Sequence, residues 1–220
     1  ITNYKRVEAI DGNNLSKEIL SNKYNLDKNP KLNLYDYACA LSHLKAIEQV
    51  LIDNHDYALI IEDDCNFEYL KYQKEPILNI IDKIKNYEII KLSSIDHFDR
   101  KSLKNEDALK WKVEKKYYYK DLENKIILKN NSNGLQGYIV NKTTCKKIVD
   151  NNFKNFLGTS EDSIFKIVNP HVVYPPYFTY YYYKNVKSLI RKGKANHSTQ
   201  TYSKIFWDNY YNKIKNIQKN

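Results

Sequence analysis

Three consecutive acids, Glu62-Asp63-Asp64, follow directly on the run Tyr57-Ala58-Leu59-Ile60-Ile61. That run is apolar on successive residues, as a strand buried on both faces requires. The acids are therefore expected at its carboxyl end, where open α/β sheets place their ligands. Carboxylates side by side repel one another unless a cation neutralises them, and a hard divalent ion with oxygen ligands, Mg²⁺ or Mn²⁺, is the natural partner. Such an ion keeps positions open for phosphate oxygens, which implies transfer or cleavage at a phosphate or diphosphate. A nuclease, a phosphohydrolase and a nucleotide-sugar transferase share that chemistry. The plain alternative is a solvated strand end followed by a turn.

The elements that must position the acids are legible around them. Residues 37–53 carry Ala38, Leu41, Leu44, Ile47, Val50 and Leu51 at three- and four-residue spacings, a helical stripe with one buried face. A second helix is expected from about Lys74 to Asn86, with Pro76 in its first turn, and a strand at Glu88–Leu92. Helix and strand alternate, which favours an α/β sandwich with a mostly parallel central sheet. A polar stretch from Asp96 to Asp121, containing Tyr117-Tyr118-Tyr119, reads as a long excursion or a flap over a site. Strands follow at 125–128 and 137–140, then helices at 143–151 and 161–168, an extended aromatic stretch 172–183 and a basic helix 202–215. Without repeats or a linker, residues 1–220 form one domain.

Composition narrows the classes. The 220 residues, 42% hydrophobic, suffice for a sizeable core. The net charge of +10 would ordinarily suggest nucleic acid, but the bases are almost all lysine, with only Arg6, Arg100 and Arg191 as arginine. Together with abundant Asn, Ile and 21 tyrosines, that is the bias of an AT-rich coding sequence. The basic residues are spread and no nucleic-acid motif accompanies them, so no specific nucleic-acid partner is expected. No run reaches the roughly 18 apolar residues of a membrane span. Cys39, Cys65 and Cys145 are odd in number, widely spaced and without a CxxC pair, as reduced thiols in a cytoplasmic setting would be.

Several segments occur in an order that resembles one family. They are Arg6-Val7-Glu8-Ala9-Ile10-Asp11-Gly12, Ala38-Cys39-Ala40-Leu41-Ser42-His43-Leu44 and Ala58-Leu59-Ile60-Ile61-Glu62-Asp63-Asp64, followed by Gly134-Leu135-Gln136-Gly137-Tyr138-Ile139-Val140, Glu161-Asp162, Pro175-Pro176 and Ser188-Leu189-Ile190. Across nearly the whole chain this set resembles glycosyltransferase family 25, the lipooligosaccharide biosynthesis and procollagen galactosyltransferase family. The resemblance implies a GT-A-like fold, a UDP-galactose or UDP-glucose donor, a divalent metal, and inversion at the anomeric carbon. Under it, Glu62-Asp63-Asp64 looks like a DxD-type motif, with Asp64 the direct metal ligand, Glu62 turned toward the ribose or a ligand water, and Asp63 on the donor side. Ser42 and His43 would support the donor site or the metal loop, or else pack and cap within the helix, and Arg6 and Asp11 would lie near the nucleotide or else form a polar strand followed by an Asp-Gly turn. Asp162 occupies the place of the family's second acidic motif and would be the catalytic base, with Glu161 as substitute; Ser160-Glu161-Asp162 is also an ordinary helix start. The tyrosines of 117–119 and 177–183 would stack on acceptor sugars or serve the fold, Gly134 and Gly137 would let the backbone approach a sugar or, at Asn133-Gly134, form a simple turn, and Arg191 would hold phosphate or stand solvated.

The sequence departs from the family pattern at Ala38, where glycine is usual, and at its front, where the first strand and its Asn/Arg loop would precede residue 6. The implied reaction moves a hexose to a saccharide or a hydroxylysine-type protein side chain. A non-catalytic saccharide-binding or truncated domain is the competing reading.

Overall fold

The helical stripe forms as expected, because its start is fixed by side chains. Asn33 accepts hydrogen bonds from the backbone N–H groups of Tyr35 and Asp36, and the Asp36 carboxylate accepts from the Asn33 N–H, a reciprocal cap. In the computed structural model, which describes residues 4–24, 32–68, 70–73, 75–84, 86–93, 125–128, 135–152, 159–165, 167–174 and 177–180, the elements run α1 (Lys17–Tyr24), α2 (Leu34–Ile52), β1 (Tyr57–Ile61), β2 (Cys65–Asn66), α3 (Ile77–Lys83), β3 (Ile89–Lys91), β4 (Lys125–Leu128), β5 (Gly137–Asn141), α4 (Lys142–Asn152), α5 (Ser160–Phe165), β6 (Pro170–Tyr174) and β7 (Thr179–Tyr180). Pro76 stands just ahead of α3 in extended conformation, and the helix is shorter than its apolar spacing suggests. The expected excursion at 96–121, Gly134, Pro175-Pro176, the tyrosines beyond Tyr180, Ser188-Leu189-Ile190, Arg191 and the helix at 202–215 lie outside the described residues.

Five strands form one sheet in the order β1-β5-β3-β6-β4, and β2 pairs with β7 in a small second sheet. The main sheet is mixed. β5 lies antiparallel between β1 and β3, β4 is antiparallel to β6, and only β3 and β6 pair in parallel. The α/β class stands, but the expectation of a mostly parallel sheet is corrected. An apolar run on both faces reports burial, which α2, α4 and α5 on one side and α3 on the other supply; it says nothing of a neighbour's direction.

The pairings still make β1, β3 and β6 run the same way, so their carboxyl ends share one edge. α2 leads into β1 through residues 53–56 and α5 into β6 through 166–169, so each runs back against its strand. The amino-terminal halves of both helices therefore lie over that same edge. Alternate residues of β5 split between two cores. Tyr138 and Val140 join Leu41, Leu44, Ile47, Ile89, Ile148 and Ile164 on the α2 side. Ile139 joins Ile80, Ile90, Leu92, Val173, Tyr177 and Phe178 on the other.

Two positions yield expected results. A Cβ at Gly137, the first residue of β5, would stand 2.4 Å from Cδ2 of Phe178. Gly137→Ala is expected to lower stability by about 1–3 kcal/mol in urea unfolding, because the ring is buried and cannot yield freely. At the opposite edge, Glu88 accepts hydrogen bonds from the Lys147 ammonium and from the Asn169 N–H at 2.8 Å. Burial alone would raise its carboxyl, but the Lys147 and Asn169 contacts outweigh burial and hold it below the usual range. A depressed carboxyl stabilises the fold above its unfolded value, and that contribution is lost as pH falls through the folded one. Glu88→Gln should therefore unfold about 1 kcal/mol more easily at pH 7, and the difference should shrink as pH is lowered through about 4.

A candidate active site at the carboxyl edge of the sheet

The backbone after β1 is pinned where the acids begin. The Glu62 N–H donates to the Gln136 carbonyl at 2.8 Å, and the Cys65 N–H donates to the Glu62 carbonyl at 3.2 Å, closing a turn over Asp63 and Asp64. The Cys65 thiol also donates to the Gln136 carbonyl, at 2.6 Å. Burial, and then the neighbouring carboxylates, push that thiol far up, so it stays protonated. Next to this turn, the Tyr177 and Phe178 N–H groups both donate to the Leu92 carbonyl, and β7 pairs with β2 directly after the acids. Tyr177 is fully buried, with its hydroxyl donating to the Glu75 carbonyl at 2.6 Å. It holds this strap to the sheet and does not present a ring for sugar stacking.

His43 lies on the buried face of α2, in the half above the edge. Its Nε2 is 2.9 Å from Oε1 of Glu62 and its Nδ1 is 3.2 Å from the Tyr138 hydroxyl. Burial by itself would disfavour the charged ring; Tyr138, Cys39 and the Glu62 carboxylate outweigh it and hold the imidazole well above the usual histidine range. Of these, Glu62 carries the charge that an imidazolium answers, since burial pushes the Tyr138 hydroxyl up to about 12. His43 thus fixes the first acid of the triplet from the helix side.

Asp64 is the unmatched member. Its Oδ1 is buried with no hydrogen-bond partner. Burial first, and then the charges of Glu62 and Asp63, raise its carboxyl to about 7. Asp63 is exposed on the same turn. Among the described residues no group of three or more His, Cys, Asp and Glu side chains forms a metal cage. What the edge offers is a pair of carboxylates, one braced by His43 and one with an unused oxygen.

The second acidic motif lies at the start of α5, above the same edge. Ser160 is buried, and its hydroxyl donates to Oε2 of Glu161 at 3.0 Å while standing 3.8 Å from the Cys39 thiol. Cys39 and His43 are one turn apart on α2, so a single helix contacts both acidic motifs. Asp162 is the next residue of that helical turn.

The amino-terminal residues occupy other places. The Ser42 hydroxyl donates to the Ala38 carbonyl at 2.7 Å and accepts from the Ile10 N–H at 2.9 Å, tying the first segment to α2. Asp11 caps the short turn Gly12–Asn14, accepting from the Asn13 N–H at 2.8 Å. Arg6 has 80% of its side chain exposed and is 3.4 Å from Glu8. The structure therefore gathers Glu62, Asp63, Asp64 and His43 at one edge, with Glu161 and Asp162 above it. Ser42 and Asp11 shape the adjoining segment, and Arg6 stands in solvent.

The model of glycosyltransferase family 25, described as an LPS biosynthesis protein family, matches residues 1–164. The chain belongs to glycosyltransferase family 25. A glycosyltransferase takes a sugar from a donor to an acceptor, and in this family 25 chain both acidic motifs fall inside the matched range. Comparison with curated proteins gives no match. Among the described residues no helix is long and apolar enough to cross a membrane.

The residues that brace this family 25 site do not stand out in the sequence. Tyr138 holds His43, yet one tyrosine among 21 gives no signal of its own. The Gln136 carbonyl anchors two groups of the acidic turn, and a backbone acceptor leaves no trace in residue type.

Proposed function

We propose that this chain is a metal-dependent, inverting hexosyltransferase that moves galactose or glucose from the UDP-sugar to a hydroxyl of a saccharide or a hydroxylysine-type side chain. The observation that carries the reading is the buried, unpartnered oxygen of Asp64 beside Glu62 in the acidic turn. An all-oxygen carboxylate pair suits a hard divalent ion, and Mg²⁺ or Mn²⁺ is commonly held by one or two carboxylates with substrate phosphates and water in the remaining positions. The lack of a complete cage among the described residues is in keeping with that mode. A GT-A-like architecture is supported by three strands of one direction ending at the edge that carries the acids.

In this reading Asp64 and Glu62 hold the ion, and Asp63 and the segment tied by Ser42 and Asp11 border the nucleotide, with Arg6 at its margin. His43 keeps Glu62 from rotating away. When bound, the ion supplies positive charge against the charge developing on the departing diphosphate. Asp162, or Glu161 in its place, accepts the acceptor hydroxyl proton as that oxygen bonds to the anomeric carbon. The bond from that carbon to the diphosphate breaks as the new bond forms, and UDP leaves with the electron pair. No sugar-enzyme bond is formed. Three free cysteines suit a reducing, cytoplasmic setting.

Thermal-shift titration tests the binding half of the reading. The melting temperature should rise with one or two UDP-hexoses only when Mn²⁺ is present, and GDP-sugars should have no effect. A nucleotide-sugar shift independent of metal, or none with any UDP-hexose, would overturn it.

A further inference from the structure

Lys91 ends β3, a strand in the middle of the main sheet, and its side chain is fully buried. It is the one lysine or arginine buried among the described residues. Its strand neighbours Ile89, Ile90 and Leu92 are equally buried, so an apolar residue would satisfy the packing. Taking an ammonium out of water is expensive and is sustained only where opposite charge or good acceptors meet it.

The register shows which layer the ammonium enters. Lys91 pairs with Tyr138 on one side and Val172 on the other, and paired residues share a face. Tyr138 belongs to the core beneath α2 and α5. The ammonium does reach α5, 5.0 Å from the centroid of the Phe165 ring. A ring face attracts a desolvated cation, but too weakly to offset its burial alone. Glu161 lies one turn before Phe165, on the same helix face. Its carboxylate is already oriented by Ser160, which the Cys39 thiol holds in turn. Because α5 runs back against β6, that first turn stands at the carboxyl end of β3, where Lys91 is.

We propose that Lys91 is a positioning residue whose buried ammonium is the counter-charge for the acidic first turn of α5. It thereby fixes the carboxylate of Glu161, and the helical turn that carries Asp162, relative to Glu62-Asp63-Asp64. Its consequence for turnover rests on the transferase reading; its consequence for α5 does not.

Lys91→Met keeps the volume and removes the charge. Removing one partner of a charge pair leaves the other unmatched, so the variant should melt below the wild-type temperature, and adding Glu161→Gln should recover part of the loss. In the full chain, kcat should fall by about tenfold or more with the KM for the UDP-sugar within about twofold, because the donor side is untouched. Hydrogen-deuterium exchange should be about tenfold faster at amides 160–163 and unchanged in β1, β3 and β5. Wild-type kcat and exchange in Lys91→Met would overturn the proposal, as would a loss of melting temperature that Glu161→Gln does not recover at all, since the lysine would then serve the core. If the wild-type chain transfers no sugar, the transferase reading fails, and the exchange comparison still decides the role of Lys91.

Discussion

Asp64→Asn should reduce sugar transfer by about 10³-fold or more while leaving the metal-free chain at least as stable as wild type. The two halves follow from one feature. The buried Oδ1 has no partner, and burial first, then the charges of Glu62 and Asp63, push its carboxyl up to about 7. An unmatched buried carboxylate works against the fold, so the neutral amide should be tolerated or should stabilise by about 1–2 kcal/mol. The same carboxylate is the group best placed to hold a cation, and losing several kcal/mol of charge stabilisation at the leaving diphosphate amounts to about three orders of magnitude in rate. Melting curves with and without Mn²⁺ check both halves. Wild type should gain stability from Mn²⁺ with UDP and Asp64→Asn should not. A variant that melts well below wild type without metal would show that Asp64 serves the turn.

The second large effect is expected at His43. His43→Ala removes the 2.9 Å contact to Glu62 and the 3.2 Å contact to Tyr138 together. A buried tyrosine hydroxyl loses its partner, which costs about 1–3 kcal/mol. Glu62 is also freed to rotate, and groups that orient a metal-binding carboxylate are typically worth about 10–100-fold in activity or metal affinity. Glutamine can donate to Glu62 from a similar place, so His43→Gln should recover part of the activity. Tyr138→Phe, which leaves the Glu62 contact intact, should lose stability and keep most of the activity. If His43→Ala and Tyr138→Phe lose activity equally, the ring acts on the core and not on Glu62.

What the sequence disclosed follows from where its patterns are strong. α2 was legible because its apolar residues repeat on one face; the Asn33 cap and the first helical residues, Leu34 to Asp36, lie ahead of that stripe and were not. β1 and its acids were legible because an apolar run stops abruptly in charge. Strand direction was not legible. β5 inserts between β1 and β3 although it follows them in the chain, and a strand buried on both faces looks the same in either orientation. β2 and β7 have two residues each, too few for any period to show. At the site, the acids and His43 stood out by type and order. Their braces did not, because a backbone carbonyl at Gln136, a strand tyrosine and a helix cysteine act only through placement that the sheet edge supplies.

In the proposed reaction a sugar leaves UDP at this edge with the help of Glu62 and Asp64. Release of UDP by the purified chain, measured across a panel of UDP-sugars with a saccharide acceptor, with and without Mn²⁺ and in wild type beside Asp64→Asn, tests it most directly. Turnover is expected with UDP-galactose or UDP-glucose, should require Mn²⁺ and should be lost in the variant. Turnover that persists without metal or in Asp64→Asn, or no turnover with any UDP-sugar, would contradict it.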